Sequence, residues 1–422
     1  MPLRRRDFLT VATLAAALPE LGGYRRATGA EIVDGDWETI RAQFRLDPTY
    51  VNMAGLLLTS HPEPVHNAIR EYRIALDESP ALYAMENRWD LERRARRAAA
   101  RFIGARYQEV ALTDSTTMGL SQIYNGIRVR SDQELLTTEE DYYATQQALR
   151  YTSRRTGASL RIVPMPSAEA SAVSTERIVD RLIAEVRPET RVLGLTWVHS
   201  KTGLKLPVRQ IAEELAVINR RRDETDRVLL VLDGVHGFGV EDFQVSDLGC
   251  DFFAAGAHKW LFGPRGTGII WGRPERTAEV DITIPTFTPD GTWGGHMTPG
   301  GFKPFEHQWA LPAAFRFQEN IGRDAIAARI HELNRQMREG LSTIPQVRLH
   351  TPMKPDLASG ITCFDIEGMR PEQVVEALLE RNFVTSETPY KPSSARVTPG
   401  LFNTPEEVDR TLAAIDAIAK RA

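Results

Sequence analysis

The sequence predicts an α/β protein in which a large domain, built on a mostly parallel seven-stranded sheet, precedes a smaller α+β domain. From about residue 50 to residue 275, short apolar runs alternate with helix-like stretches. Apolar strands separated by helices are typical of a parallel sheet that is covered on both faces. After about residue 310 this alternation ends. The composition, 42% hydrophobic and 26% charged, excludes collagen-like, disordered and polytopic membrane proteins.

Seven short runs predict the strands of the large sheet. The run at 228–232 contains no polar residue, as expected for a strand in the middle of a parallel sheet. Between two of the strands, residues 208–222 place Ile211, Leu215 and Ile218 on one face of a predicted helix. The predicted strands span residues 110–113, 134–138, 160–163, 192–196, 228–232, 252–255 and 268–271.

The C-terminal part is predicted to contain a long helix over residues 311–340, a strand over 361–366 and a final helix. The final helix has a strong start signal, because Thr404 can cap it, Pro405 suits its first position and Glu407 completes a capping box. We expect four segments along the chain: a leader over residues 1–30, an N-terminal segment over 31–50, the large domain over 51–305 and the small domain over 306–422.

The leader over residues 1–30 resembles an export signal of the twin-arginine type. The pair Arg5-Arg6 precedes a short apolar run over residues 11–18, and a stretch of small residues ends at Ala30. The apolar run is shorter than the roughly 20 residues that a membrane span requires. We therefore expect the twin-arginine machinery to export the folded protein to the periplasm or another extracytoplasmic compartment, with cleavage near Ala30. The alternatives are a retained anchor and a cytosolic amphipathic helix with a basic end.

Residue counts exclude several classes of function. The 52 lysines and arginines nearly balance the 56 aspartates and glutamates, for a net charge of −4, which argues against nucleic acid as the main partner. Two cysteines cannot form a disulfide framework. Nine histidines show no HExxH or HxH cluster, so we expect no metal centre. The chain contains only seven lysines, which leaves few candidates for amine chemistry.

Polar residues that could bind a ligand follow three of the predicted strands. In open parallel sheets, ligands bind at the carboxyl ends of the strands. Ser115, Thr116 and Thr117 lie at a helix start, where hydroxyls and free N–H groups can bind phosphate or simply cap the helix. Asp233 follows a buried strand, where a carboxylate is costly unless it faces a charge. Lys259 follows another apolar strand, and a desolvated lysine can form a Schiff base.

This order of phosphate-binding residues, strand-end aspartate and desolvated lysine resembles the class V aminotransferase family of fold-type I enzymes, which use pyridoxal 5'-phosphate (PLP). The most specific pieces are Asp-Gly-Val-His at 233–236, Ala-His-Lys at 257–259 and Gly-Pro-Arg-Gly at 263–266. The resemblance covers roughly residues 45–420 and favours the isopenicillin N epimerase-like branch. It implies the PLP-dependent transferase fold of type I and PLP as the cofactor.

The resemblance implies a role for each residue that follows the strands. Lys259 should form the Schiff base with PLP and move the proton at the substrate α-carbon, for which its pKa must lie below the free value of about 10.4. Asp233 should pair with the pyridine nitrogen and hold it protonated, which makes the ring an electron sink. Ser115, Thr116 and Thr117 should bind the phosphate.

Three aromatic residues match positions around PLP in the family. Tyr142 matches the residue that stacks on the ring, where desulfurases usually have histidine, and Tyr143 is the adjacent competitor. His236 matches a residue that approaches the phenolic oxygen of PLP, where desulfurases carry glutamine. His258 should approach the phosphate or Lys259. The alternatives are that Tyr142 is a packing aromatic residue and that His236 is a core histidine.

Two further matches concern the substrate side of the site. Ser200 replaces the asparagine that the family usually has in a loop that contacts PLP. Arg396 matches the arginine that binds the substrate α-carboxylate. A guanidinium suits this role because it can donate two hydrogen bonds to one carboxylate. The alternative is that Arg396 forms a surface salt bridge. In the family a neighbouring subunit often closes the phosphate site, here through residues 300–309, so we expect a homodimer.

The two cysteines narrow the reaction. A desulfurase needs a nucleophilic cysteine on the loop before the substrate arginine, but residues 385–392 contain none, and Cys250 and Cys363 lie next to or within apolar strands. Desulfurase chemistry is therefore disfavoured, and transamination, epimerisation or elimination at an amino acid remains. We favour transamination-type modification of a small-molecule, peptide-linked or secondary-metabolite amino acid, in resemblance to the exported class V enzymes that tailor pyoverdine siderophores.

A bulky substrate of this kind would need an open cleft, which Trp293, His307 and Tyr390 are candidates to line. Two other classes remain as alternatives. A non-catalytic binding protein is disfavoured because both Lys259 and Asp233 are present. A nicotinamide-binding Rossmann enzyme is disfavoured because no GxGxxG motif follows the first strands.

Overall fold

The computed structural model describes residues 36–165, 173–288 and 290–422. Within these ranges the chain forms one compact unit. The leader predicted over residues 1–30 lies outside the described residues, so it stays a prediction. In the described ranges, no helix combines the length and the apolar character that crossing a membrane requires.

Strands and helices alternate through the first two thirds of the described chain. The strands are β1 (Val51–Asn52), β2 (Val110–Thr113), β3 (Glu134–Thr138), β4 (Ser159–Val163), β5 (Thr190–Thr196), β6 (Leu229–Asp233), β7 (Phe252–Gly256), β8 (Gly268–Gly272), β9 (Val347–Leu349), β10 (Thr362–Ile366), β11 (Phe383–Val384), β12 (Ser386–Glu387) and β13 (Ala395–Val397). The helices are α1 (Trp37–Ala42), α2 (Glu63–Glu78), α3 (Pro80–Ile103), α4 (Thr116–Gly126), α5 (Tyr143–Thr156), α6 (Thr175–Ala184), α7 (Val208–Asn219), α8 (Val245–Leu248), α9 (Trp293–Met297), α10 (Phe305–Ile321), α11 (Arg323–Ser342), α12 (Pro371–Leu379) and α13 (Pro405–Ala419).

A seven-stranded sheet forms the centre of the fold, in the order β2-β8-β7-β6-β5-β3-β4. β8 runs antiparallel to both of its neighbours, and the other pairs are parallel. The prediction of a mostly parallel seven-stranded sheet is confirmed, and every predicted strand is present with its ends shifted by no more than about two residues. β6 lies in the middle of the sheet and is buried along its whole length, as its apolar sequence indicated.

The register of the sheet brings the carboxyl ends of several strands to one edge. Thr196 at the end of β5 pairs with Asp233 at the end of β6, which in turn pairs with Ala254 of β7. α4 starts shortly after β2 and packs closely on the sheet, because a Cβ at Gly119 would lie 3.1 Å from Ile270 and 3.2 Å from Ala254. The residues that follow β2, β5, β6 and β7 therefore meet at this carboxyl edge.

A second sheet of four antiparallel strands, in the order β12-β13-β10-β9, lies in the C-terminal part. Its core is separate from that of the large sheet and includes Phe364, Leu378 and Val408. The predicted start of α13 is confirmed, because the Thr404 hydroxyl accepts a hydrogen bond from the Glu407 N–H at 3.2 Å and the Glu407 carboxylate accepts one from the Thr404 N–H. The domain bounds predicted at residues 50 and 305 stay predictions.

The single long helix predicted over residues 311–340 is wrong. Two helices, α10 and α11, occupy residues 305–342 and meet at Gly322, whose φ of +97° no helical residue adopts. α10 packs on α2 and α3, whereas α11 packs on α13. Both helices have apolar faces, so their combined pattern resembles one helix in the sequence, and only the backbone conformation of Gly322 separates them.

Candidate active site

A cavity of about 280 Å³ opens at the carboxyl edge of the large sheet. It lies where ligands bind in open parallel sheets. All ten residues predicted for the site line this one cavity, although they come from both sheets. They are Ser115, Thr116, Thr117, Tyr142, Ser200, Asp233, His236, His258, Lys259 and Arg396.

The start of α4 forms one end of the cavity. The Ser115 hydroxyl caps the helix by accepting a hydrogen bond from the Met118 N–H at 3.1 Å. The backbone N–H groups of Thr116 and Thr117 donate to no other described residue. Free N–H groups and the positive end of a helix dipole bind anions. The capping alternative is therefore correct for the Ser115 side chain, and it leaves the backbone groups available for a phosphate.

Gly256, at the end of β7, brings a second group to the phosphate end. Its N–H donates to the Thr116 hydroxyl at 2.8 Å, and a Cβ there would lie 3.1 Å from that hydroxyl and 3.3 Å from the His258 ring. Burial, followed by the positive charges of Lys259 and Arg265, lowers the pKa of His258 to about 4. His258 is therefore a neutral hydrogen-bonding group at neutral pH.

Asp233 and Lys259 face the cavity from adjacent strands. Asp233 is 2% exposed, and burial raises its pKa to about 6, although a hydrogen bond from the Val235 N–H at 3.1 Å opposes this shift. Burial lowers the pKa of Lys259 to about 8, while the charge of Asp233 opposes the shift and that of Arg396 adds to it. The Thr59 hydroxyl holds the backbone here by donating to the Lys259 carbonyl at 2.9 Å.

His236 lies between Lys259 and Trp260. Its Nε2 is 3.3 Å from Lys259 Nζ, and its Nδ1 accepts a hydrogen bond from the Trp260 indole N–H at 3.4 Å. Burial first, and then the positive charge of Lys259, hold the pKa of His236 well below its usual value. His236 is thus a neutral imidazole in direct contact with the amine, which sets aside the alternative of a core histidine away from the site.

The turn before α5 positions Tyr142. The buried carboxylate of Asp141 accepts hydrogen bonds from the Thr138 N–H at 2.8 Å and the Thr196 N–H at 2.6 Å, which ties this turn to the ends of β3 and β5. Tyr142 lines the cavity, whereas its competitor Tyr143 is 57% exposed. Burial, and then a hydrogen bond with Tyr143, raise the pKa of the Tyr142 hydroxyl.

Arg396 of β13 reaches the cavity from the second sheet. Its guanidinium donates to the Ser386 hydroxyl at 3.1 Å, the Ser200 carbonyl at 2.9 Å and the Glu387 carbonyl at 3.1 Å. It is 2% exposed, and no carboxylate of the described residues lies within 4.0 Å of it. The alternative of a surface salt bridge is therefore wrong. Three neutral acceptors hold the guanidinium in place and leave its charge available for a carboxylate ligand.

The match to known proteins agrees with this geometry. Residues 59–410 match the family model described as aminotransferase class-V. The chain belongs to the class V aminotransferase family. Membership in this family assigns PLP as the cofactor.

Relatives within the class V family have more than one activity. An isopenicillin N epimerase from Streptomyces clavuligerus is 28% identical and covers 91% of this chain and 98% of its own. A cysteine desulfurase from Klebsiella pneumoniae is 26% identical and covers 77% and 82%. Among solved structures, a mutant of C-DES with glycine covalently linked to the PLP cofactor superposes with a TM-score of 0.81 at 20% identity, covering 89% and 98%. This last likeness establishes the fold.

The residues of this class V enzyme fit PLP. The free N–H groups at the start of α4 suit its phosphate, the Asp233 carboxylate suits its pyridine nitrogen, and the Lys259 amine suits its aldehyde. Tyr142 supplies an aromatic ring at the same cavity. The individual roles assigned to these residues stay predictions.

The sequence missed part of the cavity wall and misplaced part of the cleft. Leu56 and Leu57, which follow β1, line the cavity, and no motif marks them. Tyr390 lies beside the cavity, with its hydroxyl 2.9 Å from that of Ser200. Trp293 instead packs on Phe252 within the large sheet, with ring centroids 6.3 Å apart.

His307, the third candidate for the cleft, does not line the cavity of its own chain. Its Nδ1 lies 2.8 Å from the Arg265 carbonyl oxygen. Aromatic and histidine side chains far from a strand end could not be placed by sequence alone.

Proposed function

We propose that this class V enzyme removes and returns the α-proton of an amino acid, or of an amino-acid unit in a peptide-like compound, whose carboxylate binds Arg396. One observation carries the proposal: the Lys259 amine and the Arg396 guanidinium line the same cavity, and neither has a carboxylate of the described residues within 4.0 Å. PLP, when bound, supplies an electron sink that weakens the bond to the α-proton.

The residues of the chain divide this task. Arg396 would orient the carboxylate of the substrate, and Asp233 would supply a negative charge to pair with the cofactor's ring nitrogen. A Lys259 pKa of about 8 lies close to neutral pH, so its amine can both accept and return a proton. The apolar wall of Leu56 and Leu57 suits the side group of a substrate larger than a free amino acid.

Epimerisation is the first candidate reaction. It needs a second proton donor besides Lys259, and the protonated Tyr142 hydroxyl lines the cavity. The isopenicillin N epimerase from Streptomyces clavuligerus, which the chain resembles along almost its whole length, supports this choice. Amino-group transfer, which the sequence favoured, is the second candidate, because Lys259 alone can move the proton that this reaction requires.

The two cysteines argue against sulfur transfer. Cys363 and Cys250 are both buried, and burial raises the pKa of each thiol to about 12. A thiol with so high a pKa is a poor nucleophile at neutral pH. The loop at residues 385–392, which precedes Arg396, contains no cysteine.

The test is α-proton exchange in deuterium oxide with the PLP-loaded enzyme. Free amino acids and short peptides of both configurations are offered, and deuterium incorporation, configuration and keto acid are measured. Incorporation with inversion supports epimerisation, whereas keto acid supports amino-group transfer. Release of alanine and sulfide from cysteine would contradict the proposal, and so would the absence of any exchange with every compound. Lys259→Ala is the control for exchange that the protein does not catalyse.

We also propose that the enzyme is a homodimer. Phe302 is 86% exposed and Phe287 is 49% exposed, and their rings lie 6.5 Å apart. Exposed apolar patches mark interfaces, and Phe302 lies in the stretch 300–309, which the resemblance to the family predicts to meet a neighbouring subunit. Sedimentation equilibrium should give twice the chain mass, and Phe302→Asp should shift it toward the monomer. A wild-type monomer would contradict the proposal.

Export by the twin-arginine machinery is proposed from Arg5 and Arg6. This route moves folded proteins, which suits an enzyme that must bind its cofactor before export. Replacing both arginines by lysine should leave the protein in the cytoplasm, and unchanged export would contradict the proposal. A substrate like the pyoverdine precursors is also proposed, because the predicted export resembles that of the class V enzymes that tailor pyoverdine. The exchange assay tests this proposal with peptides that carry a free carboxylate.

A further inference from the structure

Trp260 follows Lys259 in the sequence but has no role in the function proposed above. Its indole ring is 1% exposed, and its N–H donates to Nδ1 of His236. An indole N–H can only donate, and when it is buried it needs an acceptor. The other ring nitrogen of His236, Nε2, lies 3.3 Å from Lys259 Nζ. His236 therefore connects the indole to the amine that acts in the proposed function.

The position of Trp260 is set by close packing. A Cβ at Gly360 would lie 3.0 Å from the Trp260 ring, which leaves the ring no room to move on that side. The Trp260 carbonyl accepts a hydrogen bond from the Gln318 side chain at 2.6 Å. The indole N–H is thus held in one direction before any ligand binds.

The charge state of His236 leaves one arrangement of its proton. Burial, and then the charges of Lys259, Arg396 and His258, hold the pKa of His236 well below its usual value, so the ring is neutral. A neutral imidazole carries a proton on one nitrogen only. Because Nδ1 accepts from Trp260, that proton lies on Nε2, the nitrogen that faces Lys259.

We propose that Trp260 is a positioning residue that fixes the Nε2–H tautomer of His236, so that His236 donates a hydrogen bond toward the nitrogen of Lys259. Above its pKa of about 8, the Lys259 amine is unprotonated and accepts this bond through its lone pair. Without Trp260 the same ring could turn a lone pair toward Lys259 instead. The relevance to catalysis rests on the proposed function, but the tautomer itself does not.

The first test measures the tautomer directly. The full chain is labelled with ¹⁵N-histidine, and His236→Gln identifies the resonances of His236 by their loss. At about pH 9, where the Lys259 amine is unprotonated, wild-type protein with and without PLP should show a protonated Nε2 and an unprotonated Nδ1. Trp260→Phe, which keeps an aromatic ring but lacks the N–H, should show a mixture of the two tautomers. A proton on Nδ1 in the wild type would overturn the proposal, whether or not the enzyme turns over any substrate.

The second test follows the visible absorbance of PLP bound to Lys259 as the pH is raised. A donor to the unprotonated nitrogen of Lys259 stabilises that form, so Trp260→Phe should raise the pH midpoint of the absorbance change by about half a unit to one unit. In the His236→Gln background the same Trp260→Phe change should have no effect, because an amide has no tautomer to fix.

Trp271→Phe is the matched control. Trp271 is 4% exposed and its indole N–H donates to Glu109 at 3.1 Å, but it lies at the opposite end of β8 from the cavity. This change should leave the midpoint where it is. Equal shifts from Trp260→Phe and Trp271→Phe, or an equal shift from Trp260→Phe in the His236→Gln background, would mean that Trp260 is merely structural and would overturn the proposal.

Discussion

Buried charged residues at the amino edge of the seven-stranded sheet form ion pairs, whereas those that line the cavity at the carboxyl edge do not. At the amino edge, Glu134 of β3 forms a two-point ion pair with Arg161, at 2.9 and 3.0 Å, and accepts a hydrogen bond from Thr190 at 2.7 Å. Arg191, at the same edge, pairs with Glu279 at 2.7 Å. At the carboxyl edge, the three charged residues of the cavity have no opposite charge within 4.0 Å in the part of the chain that the structure describes.

The difference separates structure from function. A buried charge without a partner lowers stability, and pairing offsets much of that cost. At the amino edge, ion pairs offset this loss of stability. At the carboxyl edge the loss is not offset within the chain, and a ligand can provide the opposite charge. Changes at the amino edge should therefore reduce stability without affecting chemistry, and changes at the carboxyl edge should do the reverse.

The largest expected effect is that of Lys259→Ala. Loss of the amine should lower the rate of α-proton exchange by at least about 10³-fold, because both the attachment of PLP and the proton transfer depend on it. The visible absorbance band of the bound cofactor should disappear. Thermal unfolding of the cofactor-free protein should show no loss of stability, because the amine has no ion pair to lose. Exchange at the wild-type rate would show that another group does this work.

Glu134→Ala should have the largest effect on stability. It removes the two-point ion pair with Arg161, which keeps only its pair with Glu185, and it leaves the buried Thr190 hydroxyl without its acceptor. The free energy of unfolding should therefore fall by about 3 kcal/mol in urea denaturation. The exchange rate per folded molecule should not change. Glu213→Ala is the control, since its pair with Arg209 is exposed and should add little. A loss of activity in folded Glu134→Ala protein would break the contrast between the two edges.

Arg396→Lys keeps the positive charge but removes the planar guanidinium group. A lysine cannot keep the three hydrogen bonds to Ser386, Ser200 and Glu387, so kcat/KM should fall by about 30-fold, mainly through KM. The matched measurement uses the carboxamide of the same substrate, which lacks the negative charge. An equal loss for acid and amide would show that Arg396 supports the fold rather than the carboxylate.

The pH dependence of stability should have opposite signs at the two edges. Burial raises the pKa of Asp233 to about 6, so between about pH 4 and pH 6 the folded protein holds a proton that the unfolded chain has released. The stability of the cofactor-free protein should therefore fall as the pH rises through this range. Asp233→Asn should therefore raise the free energy of unfolding at pH 7 by an amount on the order of 2 kcal/mol and should leave it unchanged near pH 4.

Glu134 supplies the opposite slope for comparison. Burial opposes its ionisation, but hydrogen bonds from Arg161 and Thr190 outweigh burial and lower its pKa. Its contribution to stability is therefore complete above the pKa of the unfolded chain and is lost as the pH falls through the folded pKa. Wild-type and Glu134→Ala unfolding curves should converge in acid. Convergence at high pH instead would contradict the assignment of this pair.

Cys363→Ala should have the smallest effect on activity. The thiol is buried in β10 and contacts the Ser200 carbonyl at 3.9 Å, behind the cavity. Rates of α-proton exchange should stay within about twofold of the wild type, whereas a slight loss of stability is expected from the small cavity. Cys250→Ala is the matched variant. If Cys363→Ala abolished the release of sulfide from cysteine, the enzyme would be a desulfurase and the proposed function would be wrong.

Local patterns predicted most of the large sheet. A strand such as β6 is recognisable because the five successive apolar residues at 228–232 need cover on both faces, whatever the rest of the chain does. Asp233 and Lys259 were predictable for a related reason, since each follows a buried strand directly and must lie at its carboxyl edge. The break at Gly322 was not predictable, because apolar periodicity continues on both sides of it.

By itself, the sequence determined the positions of the strands along the chain, the class of the sheet and the family, because these depend on short runs of adjacent residues. Only the tertiary structure decided that Arg396 is held by Ser200, 196 positions away, and that Trp260 donates to His236. It also decided which charges have partners. Burial and hydrogen-bond direction depend on residues far apart in the chain, so the lack of a partner that makes Lys259 and Arg396 available for a ligand is a property of the folded protein alone.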